Sequence, residues 1–256
     1  MISFVGAGPG AADLMTLRGT QRLAQADLVI WASSLVPEAV LAPCRADADL
    51  ADSAGMTLEE VTALYAAHPD ASIVRLHSGD PTVYSAIAEQ IDWCVAHERD
   101  FEIVPGVSSM AAAAAAAGRE LTVPGLAQSV VMTRLAHRTE SSVPEREGVS
   151  RFAQIGPTLA VFLSAARPRE LRDELLAIGS AYDVDTPVVL AHRVSWPDER
   201  VVTGTVGTLV DDVAALGATT TVMILVGEAL RAAPVPTRSH VYSSDYTHSF
   251  READTA

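Results

Sequence analysis

Residues 1–14, MISFVGAGPGAADL, decide how the rest of the chain is read, because an apolar strand there runs straight into a glycine-rich turn. The turn formally satisfies the G-x-G-x-x-G/A pattern of dinucleotide-binding folds through Gly6, Gly8 and Ala11. In those folds a pyrophosphate sits on free backbone N–H groups at a helix N-terminus, and an acidic residue after the next strand holds the ribose. Two residues spoil that reading. Pro9 has no N–H to offer and stiffens the turn. Asp27 precedes the next apolar run, 28–31, and Ala32-Ser33-Ser34-Leu35 follows it, so the ribose ligand is missing from the crevice end. The turn is therefore read as a tight strand-to-helix connection lining a crevice, with an NAD-dependent oxidoreductase kept only as a remote alternative.

Outward from that turn, the first half alternates. Short apolar strands are expected at 2–5, 28–31, 72–77 and 101–104, with helices at 17–26, 58–67, 83–96 and 107–117. A βαβα order implies a parallel sheet, covered on both faces, whose crevice lies at the C-terminal strand ends. In the second half, strands are expected at 129–134, 158–163, 187–194, 201–205 and 220–226 and helices at 169–178 and 206–216. Only Ser195-Trp196-Pro197-Asp198-Glu199-Arg200 separates two of those strands, which is short enough for a hairpin and makes the second sheet mixed. The fold class is thus α/β, with an N-terminal domain over 1–118, a C-terminal domain over 119–232 and a tail over 233–256 that begins near Pro234 and Pro236.

Composition narrows the function. The 256 residues carry a formal charge of −14, which argues against nucleic-acid binding. No apolar run reaches the roughly 18 residues a membrane span needs. Cys44 and Cys94 have neither disulfide nor metal spacing, and no signal-peptide pattern opens the chain, so a cytoplasmic protein without a metal site is expected. All 18 basic residues are arginine, a side chain whose fork suits carboxylates.

Several crevice-edge motifs carry two readings each. Gly79-Asp80-Pro81 suits a helix start, with Asp80 as cap and Pro81 at the first helical position; it also places a carboxylate and bare backbone on a crevice floor. Ser108 and Ser109, before the alanine run 111–117, either cap that helix or meet a ligand. Arg119, Arg134 and Arg138 are either solvated surface or an anion-binding rim. His192 lacks a nucleophile or paired carboxylate and reads as a structural histidine, and His240 and His248 read as solvated or interface residues.

The order and spacing of FVGAGPG (4–10), HSGDPTVYSAIAEQ (77–90), VPGVSSMAAAAA (104–115), ELTVPG (120–125), VFLS (161–164), SWPDE (195–199), ILVG (224–227) and THSFRE (247–252) together resemble the tetrapyrrole (uroporphyrinogen-III/precorrin) methyltransferase family. The resemblance runs over nearly the whole length. It implies two α/β domains around a cleft for S-adenosylmethionine, the methyl donor that leaves as S-adenosylhomocysteine, and a precorrin substrate on the route to cobalamin. It also implies cofactor contacts from Pro9, from Ser78, Gly79 and Asp80 with Val83 and Tyr84 near the methionine part, and from Ser108 and Ser109. Leu163, His192, Arg193, Thr220 and Thr221 would surround the adenosine. Asp80 would orient the cofactor rather than exchange protons. Because the substrate carries many carboxylates, Arg134, Arg138 and Arg193 are its candidate partners, with Trp196 beside them. Relatives suggest a homodimer. Departures from the family pattern stand at Ala11, His137 and His192-Arg193. Rival readings are methylation of another tetrapyrrole carbon, methylation of a diphthamide precursor, and a non-catalytic tetrapyrrole carrier.

Overall fold

A computed structural model describes residues 1–136, 143–231 and 239–253. The chain divides into two compact units, Met1–Ala112 with Arg193–Arg200, and Ala113–His192 with Val201–Ala256. The eight-residue segment Arg193–Arg200 thus groups with the first unit, although the sequence reading sets it in the second half.

The first unit is a five-stranded, all-parallel sheet in the order β3-β2-β4-β1-β5. Its strands are β1 Ile2–Gly6, β2 Leu28–Trp31, β3 Asp49–Asp52, β4 Ile73–His77 and β5 Phe101–Val104. Every residue of β1 is buried, as a strand covered on both faces requires. Ile2 and Phe4 join Val61, Tyr65 and Cys94 on one face, while Val5 joins Leu23, Val29 and Val40 on the other. The helices are α1 Leu17–Gln25, α2 Leu58–Ala67, α3 Ala88–Ala96 and α4 Ser109–Ala116, the last of which runs past the unit boundary at Ala112. Thr16 caps α1 through Gly19 N–H, and Thr57 with Glu60 forms a capping box on α2.

Two elements differ from the sequence reading here. The expected helix over 83–96 starts only at Ala88, because Tyr84 and Ala86 hold φ values of 52° and 49°, a left-handed backbone that interrupts any helix. Strand β3 was not anticipated: Asp49, Leu50 and Asp52 are exposed, and the edge position gives no apolar signal.

The second unit holds a mixed five-stranded sheet in the order β6-β7-β10-β8-β9, formed by β6 Val130–Arg134, β7 Thr158–Phe162, β8 Pro187–His192, β9 Arg200–Thr205 and β10 Val222–Val226. Strands β6 and β7 run parallel, and β10 is antiparallel to both β7 and β8. Its helices are α5 Val149–Ala153, α6 Pro168–Leu175 and α7 Leu209–Leu216. Leu171 and Leu175 of α6 and Leu209 of α7 are fully buried against Leu159 and Leu190, each such side chain contributing roughly 1.5–3 kcal/mol. The five-residue α5 was missed, being too short for a periodic signal. No described helix is long and apolar enough to cross a membrane.

Candidate active site

Strand β1 ends in Gly6, and β4 and β5 reach Gly79 and Gly106 after one intervening residue each, Ser78 and Pro105; at these glycines the three backbones meet. A Cβ on Gly6 would lie 2.5 Å from Gly106 Cα, and one on Gly106 would lie 2.1 Å from the Gly79 carbonyl oxygen. No side chain fits at either position, so the C-terminal ends of β1, β4 and β5 close into a floor of bare backbone. Gly8 and Gly79 tie the first two together by exchanging hydrogen bonds, Gly79 N–H to Gly8 O at 2.7 Å and Gly8 N–H to Gly79 O at 3.2 Å.

Asp80 stands on this floor. Its Oδ2 accepts from Gly106 N–H at 2.9 Å and its Oδ1 from Thr82 N–H at 2.8 Å and from the Thr82 hydroxyl. Partial burial alone would raise its pKa, but the bonds from the Thr82 hydroxyl, Gly106 N–H and Thr82 N–H outweigh it and hold the carboxyl below its ordinary value. Asp80 therefore does not cap a helix, as the sequence suggested: it closes a turn onto Thr82 and reaches across to the start of the next loop. Ser108 Oγ accepts from Met110 N–H at 3.3 Å at the head of α4, and Ser108 Cα and Ser109 N lie within 4 Å of the outward position on Gly79. The structure thus brings Gly79, Asp80, Ser108 and Ser109 together. Ser78 and Val83 are half-buried, and Tyr84 is 46% exposed in its left-handed turn.

The glycine loop is occupied by the chain itself. Trp196 Nε1–H donates to Pro9 O at 3.0 Å, and Ser195 Oγ accepts from Ala11 N–H at 2.9 Å. The indole fills the space beside Gly10, where a Cβ would lie 2.1 Å from Trp196 Cδ1. Arg193 stacks over that indole, with Cζ 4.1 Å from the ring centroid, and pairs with Asp198 at 2.6 Å. Gly8 and Ala11 N–H are bonded to protein oxygens and Pro9 has none, so these three positions of the loop hold no donor ready for a phosphate. A ligand without phosphates, such as S-adenosylmethionine, has no need of donors at these three positions, whereas a pyrophosphate does.

Sequence reasoning missed Ser195, because nothing local signals a partner 184 residues away. It also missed His77, the last residue of β4, which is buried beside Phe4 and whose burial, helped by Arg75, pushes its pKa down to about 3.

In the second unit, strand register collects the remaining described candidates at one end of the sheet. Arg134 pairs with Phe162, next to Leu163, and His192 pairs with Val222, next to Thr220 and Thr221. Leu163 and Thr221 both have positive φ, 54° and 55°, and Leu163 is 75% exposed. His192 is buried. His137 and Arg138 lie outside the described residues. Among the described residues no group of three or more His, Cys, Asp or Glu is placed to hold a metal ion.

Residues 1–210 match the family of tetrapyrrole (corrin/porphyrin) methylases. The chain belongs to that family. It is 40% identical over 247 residues to a precorrin-4 C(11)-methyltransferase of Rhodococcus erythropolis, covering 95% of this chain and 96% of that one. Among solved structures, a cobalt precorrin-4 methyltransferase superposes with a TM-score of 0.86 at 41% identity, covering 90% of this chain and 96% of the other. A uroporphyrin-III C-methyltransferase of Thermus thermophilus, solved with S-adenosylhomocysteine, superposes with a TM-score of 0.74 at 28% identity, covering 90% and 98%. The parallel first sheet and mixed second sheet are those of tetrapyrrole methylases.

Proposed function

We propose that this chain transfers a methyl group from S-adenosylmethionine to C-11 of precorrin-4, or of cobalt-precorrin-4, in cobalamin biosynthesis. The observation that carries this reading is identity of about 40% held over nearly the whole chain to proteins of that activity, one of each substrate kind. The phosphate-free donor set of the Pro9 loop supports the choice of cofactor.

When bound, S-adenosylmethionine supplies a sulfonium methyl that is already electrophilic. The chain's own task is then positional. The residues that hold the cofactor and the tetrapyrrole would have to keep the substrate carbon in line with the cofactor's methyl group, and such positioning is worth up to about 7–11 kcal/mol. Pro9, Ser78, Gly79, Asp80, Val83, Tyr84, Ser108 and Ser109 are assigned to the methionine side, and Leu163, His192, Arg193, Thr220 and Thr221 to the adenosine side. Asp80 orients: both its oxygens are acceptors engaged by N–H and O–H donors, and it stays ionised at neutral pH. Arg134 and Arg138 are assigned to the substrate carboxylates, which an acidic surface repels at longer range. The enzyme is further read as a cytoplasmic homodimer.

Calorimetric titration with S-adenosylhomocysteine and, separately, NAD tests the reaction class. Saturable binding of the first alone supports it, and binding of NAD alone overturns it. Incubation with S-adenosylmethionine and precorrin-4, with the new methyl located by NMR, then tests the ring carbon; a methyl at any carbon other than C-11 replaces the substrate assignment.

A further inference from the structure

The segment Arg193–Arg200 makes contacts that neither a simple hairpin nor a substrate-binding role accounts for. Its tip reaches the glycine loop at three consecutive points: the Pro9 carbonyl, the open side of Gly10 and the Ala11 N–H. Two of its non-glycine residues, Arg193 and Ser195, hold φ values of 47° and 67°. Such left-handed conformations persist only where surrounding contacts impose them, and they gather at functional sites. The contacts that impose them are in view. Glu199 accepts from Ser195 N–H at 2.5 Å, Asp198 pairs with Arg193, and Trp196 N–H bonds Arg193 O at 2.9 Å. The indole of Trp196 is engaged by Gly10, by Pro9 and by the Arg193 guanidinium, which leaves it committed to the loop.

We infer that residues 193–199 are a clasp that fixes the Pro9 loop in the shape the cofactor meets, and that Ser195 and Trp196 are positioning residues for cofactor binding rather than substrate contacts. This rests on the proposal that the loop faces S-adenosylmethionine. The clasp answers the loop's backbone groups of both polarities: the Ser195 hydroxyl accepts from Ala11 N–H, as an anion would, and the Trp196 indole N–H donates to the Pro9 carbonyl, which no anion could do. Gly10 is required because the ring occupies the volume of any side chain there, and Trp196 is required because only an indole supplies both the flat ring and the N–H at that reach.

Trp196→Phe keeps an aromatic ring beside Gly10 and removes the bond to Pro9 O; Ser195→Ala removes only the bond from Ala11 N–H. A lost neutral hydrogen bond corresponds to about a two- to twelvefold change in an equilibrium constant. Each variant is expected to weaken S-adenosylhomocysteine binding and raise KM for S-adenosylmethionine by up to that factor, with the melting temperature lowered by no more than the few degrees one lost bond costs and KM for the tetrapyrrole unchanged. A rise in tetrapyrrole KM alone would make Trp196 a substrate contact and overturn the inference. So would equal cofactor affinity in wild type and both variants, or losses that merely track a lowered melting temperature. The wild-type titration comes first: if wild type fails to bind S-adenosylhomocysteine, the proposed function itself falls, whereas wild-type binding with indifferent variants refutes only the clasp.

Discussion

Replacing Asp80 by Asn isolates what its charge does. The carboxylate receives three hydrogen bonds, from Thr82 N–H at 2.8 Å, from the Thr82 hydroxyl and from Gly106 N–H at 2.9 Å, and all three arrive as donors. Asparagine has one acceptor oxygen. With that oxygen turned toward Thr82, the amide nitrogen faces Gly106 N–H, donor against donor, and Gly106 cannot retreat because Gly6 and Gly79 press on it. Losing one bond to a charged acceptor and leaving a backbone N–H unanswered costs about 2 kcal/mol. For a chain of this size that lowers the melting temperature by about 4–8 °C at pH 7.5. The pH dependence has a definite sign. The folded-state pKa of Asp80 is depressed, so its contribution to stability is present above the ordinary carboxylate value of 3.8 and is lost as pH falls through the folded value. The gap between wild type and Asp80→Asn should therefore narrow in acid, as followed by calorimetric melting at stepped pH. On the proposal that Asp80 orients the cofactor and exchanges no proton during turnover, the variant's pH–rate profile should keep the wild-type shape at reduced height. An unchanged melting temperature at pH 7.5 would refute the hydrogen-bond argument, and loss of an ionisation from the profile would refute the assignment of role.

His77 should remain neutral through the physiological range: as pH falls from its ordinary 6.5 toward about 3 the unfolded chain takes up a proton that the folded chain refuses, so stability drops by at most about 1.4 kcal/mol per pH unit. His77→Phe should flatten that acid limb in denaturant titrations, and an imidazole signal that titrates near 6.5 in the folded protein would contradict the burial argument. Gly106→Ala forces a methyl to 2.1 Å from the Gly79 carbonyl, and a loss of about 1–3 kcal/mol or more, read from urea midpoints, is expected; wild-type stability would show that the strand ends are looser than described. Arg134→Ala should raise KM for the tetrapyrrole about ten- to a hundredfold through loss of a charged hydrogen bond, leaving S-adenosylhomocysteine affinity intact in calorimetry. Arg138→Ala should behave likewise, and equal loss of both ligands in either variant would remove that arginine from the substrate side.

Much of the scaffold was legible from the chain because its strands are short, apolar and separated by capped helices. β1, β2, β5 and α2 need no tertiary information to be located, and a strand such as ISFVG has no stable alternative to burial on both faces. What escaped has physical causes. β3 reads DLAD, an edge strand held by its neighbour's backbone rather than by its own side chains. The late start of α3 depends on two left-handed residues, Tyr84 and Ala86, that no local propensity demands. At the candidate site, Gly79, Asp80, Ser108 and Ser109 could be foreseen because strand ends in a parallel sheet converge. For Asp80, local spacing foresees acceptance from the N–H groups that follow it, as Thr82 N–H shows, but takes the turn for a helix start and gives no sign of the bond from Gly106, 26 residues on. The clasp on the glycine loop lay wholly beyond local reading, since Ser195 and Trp196 find Ala11 and Pro9 only once the chain has folded.

The polarity that hid β3 also bears on whether this sheet edge could take on another copy of the chain. An edge strand exposes a row of unpaired backbone groups that can template growth of the sheet into another molecule. Here that row is flanked by exposed Asp49 and Asp52, the latter held in place by Ser33 and Ala54. Two chains joining along this border would bring four carboxylates together in molecules that already carry −14 each. Association through β3 is thus disfavoured by electrostatic repulsion. Replacing the exposed Asp49 with valine, which spares the bonds that Ser33 and Ala54 make to Asp52, would weaken that repulsion, with turbidity rising at protein concentrations where the parent chain stays clear.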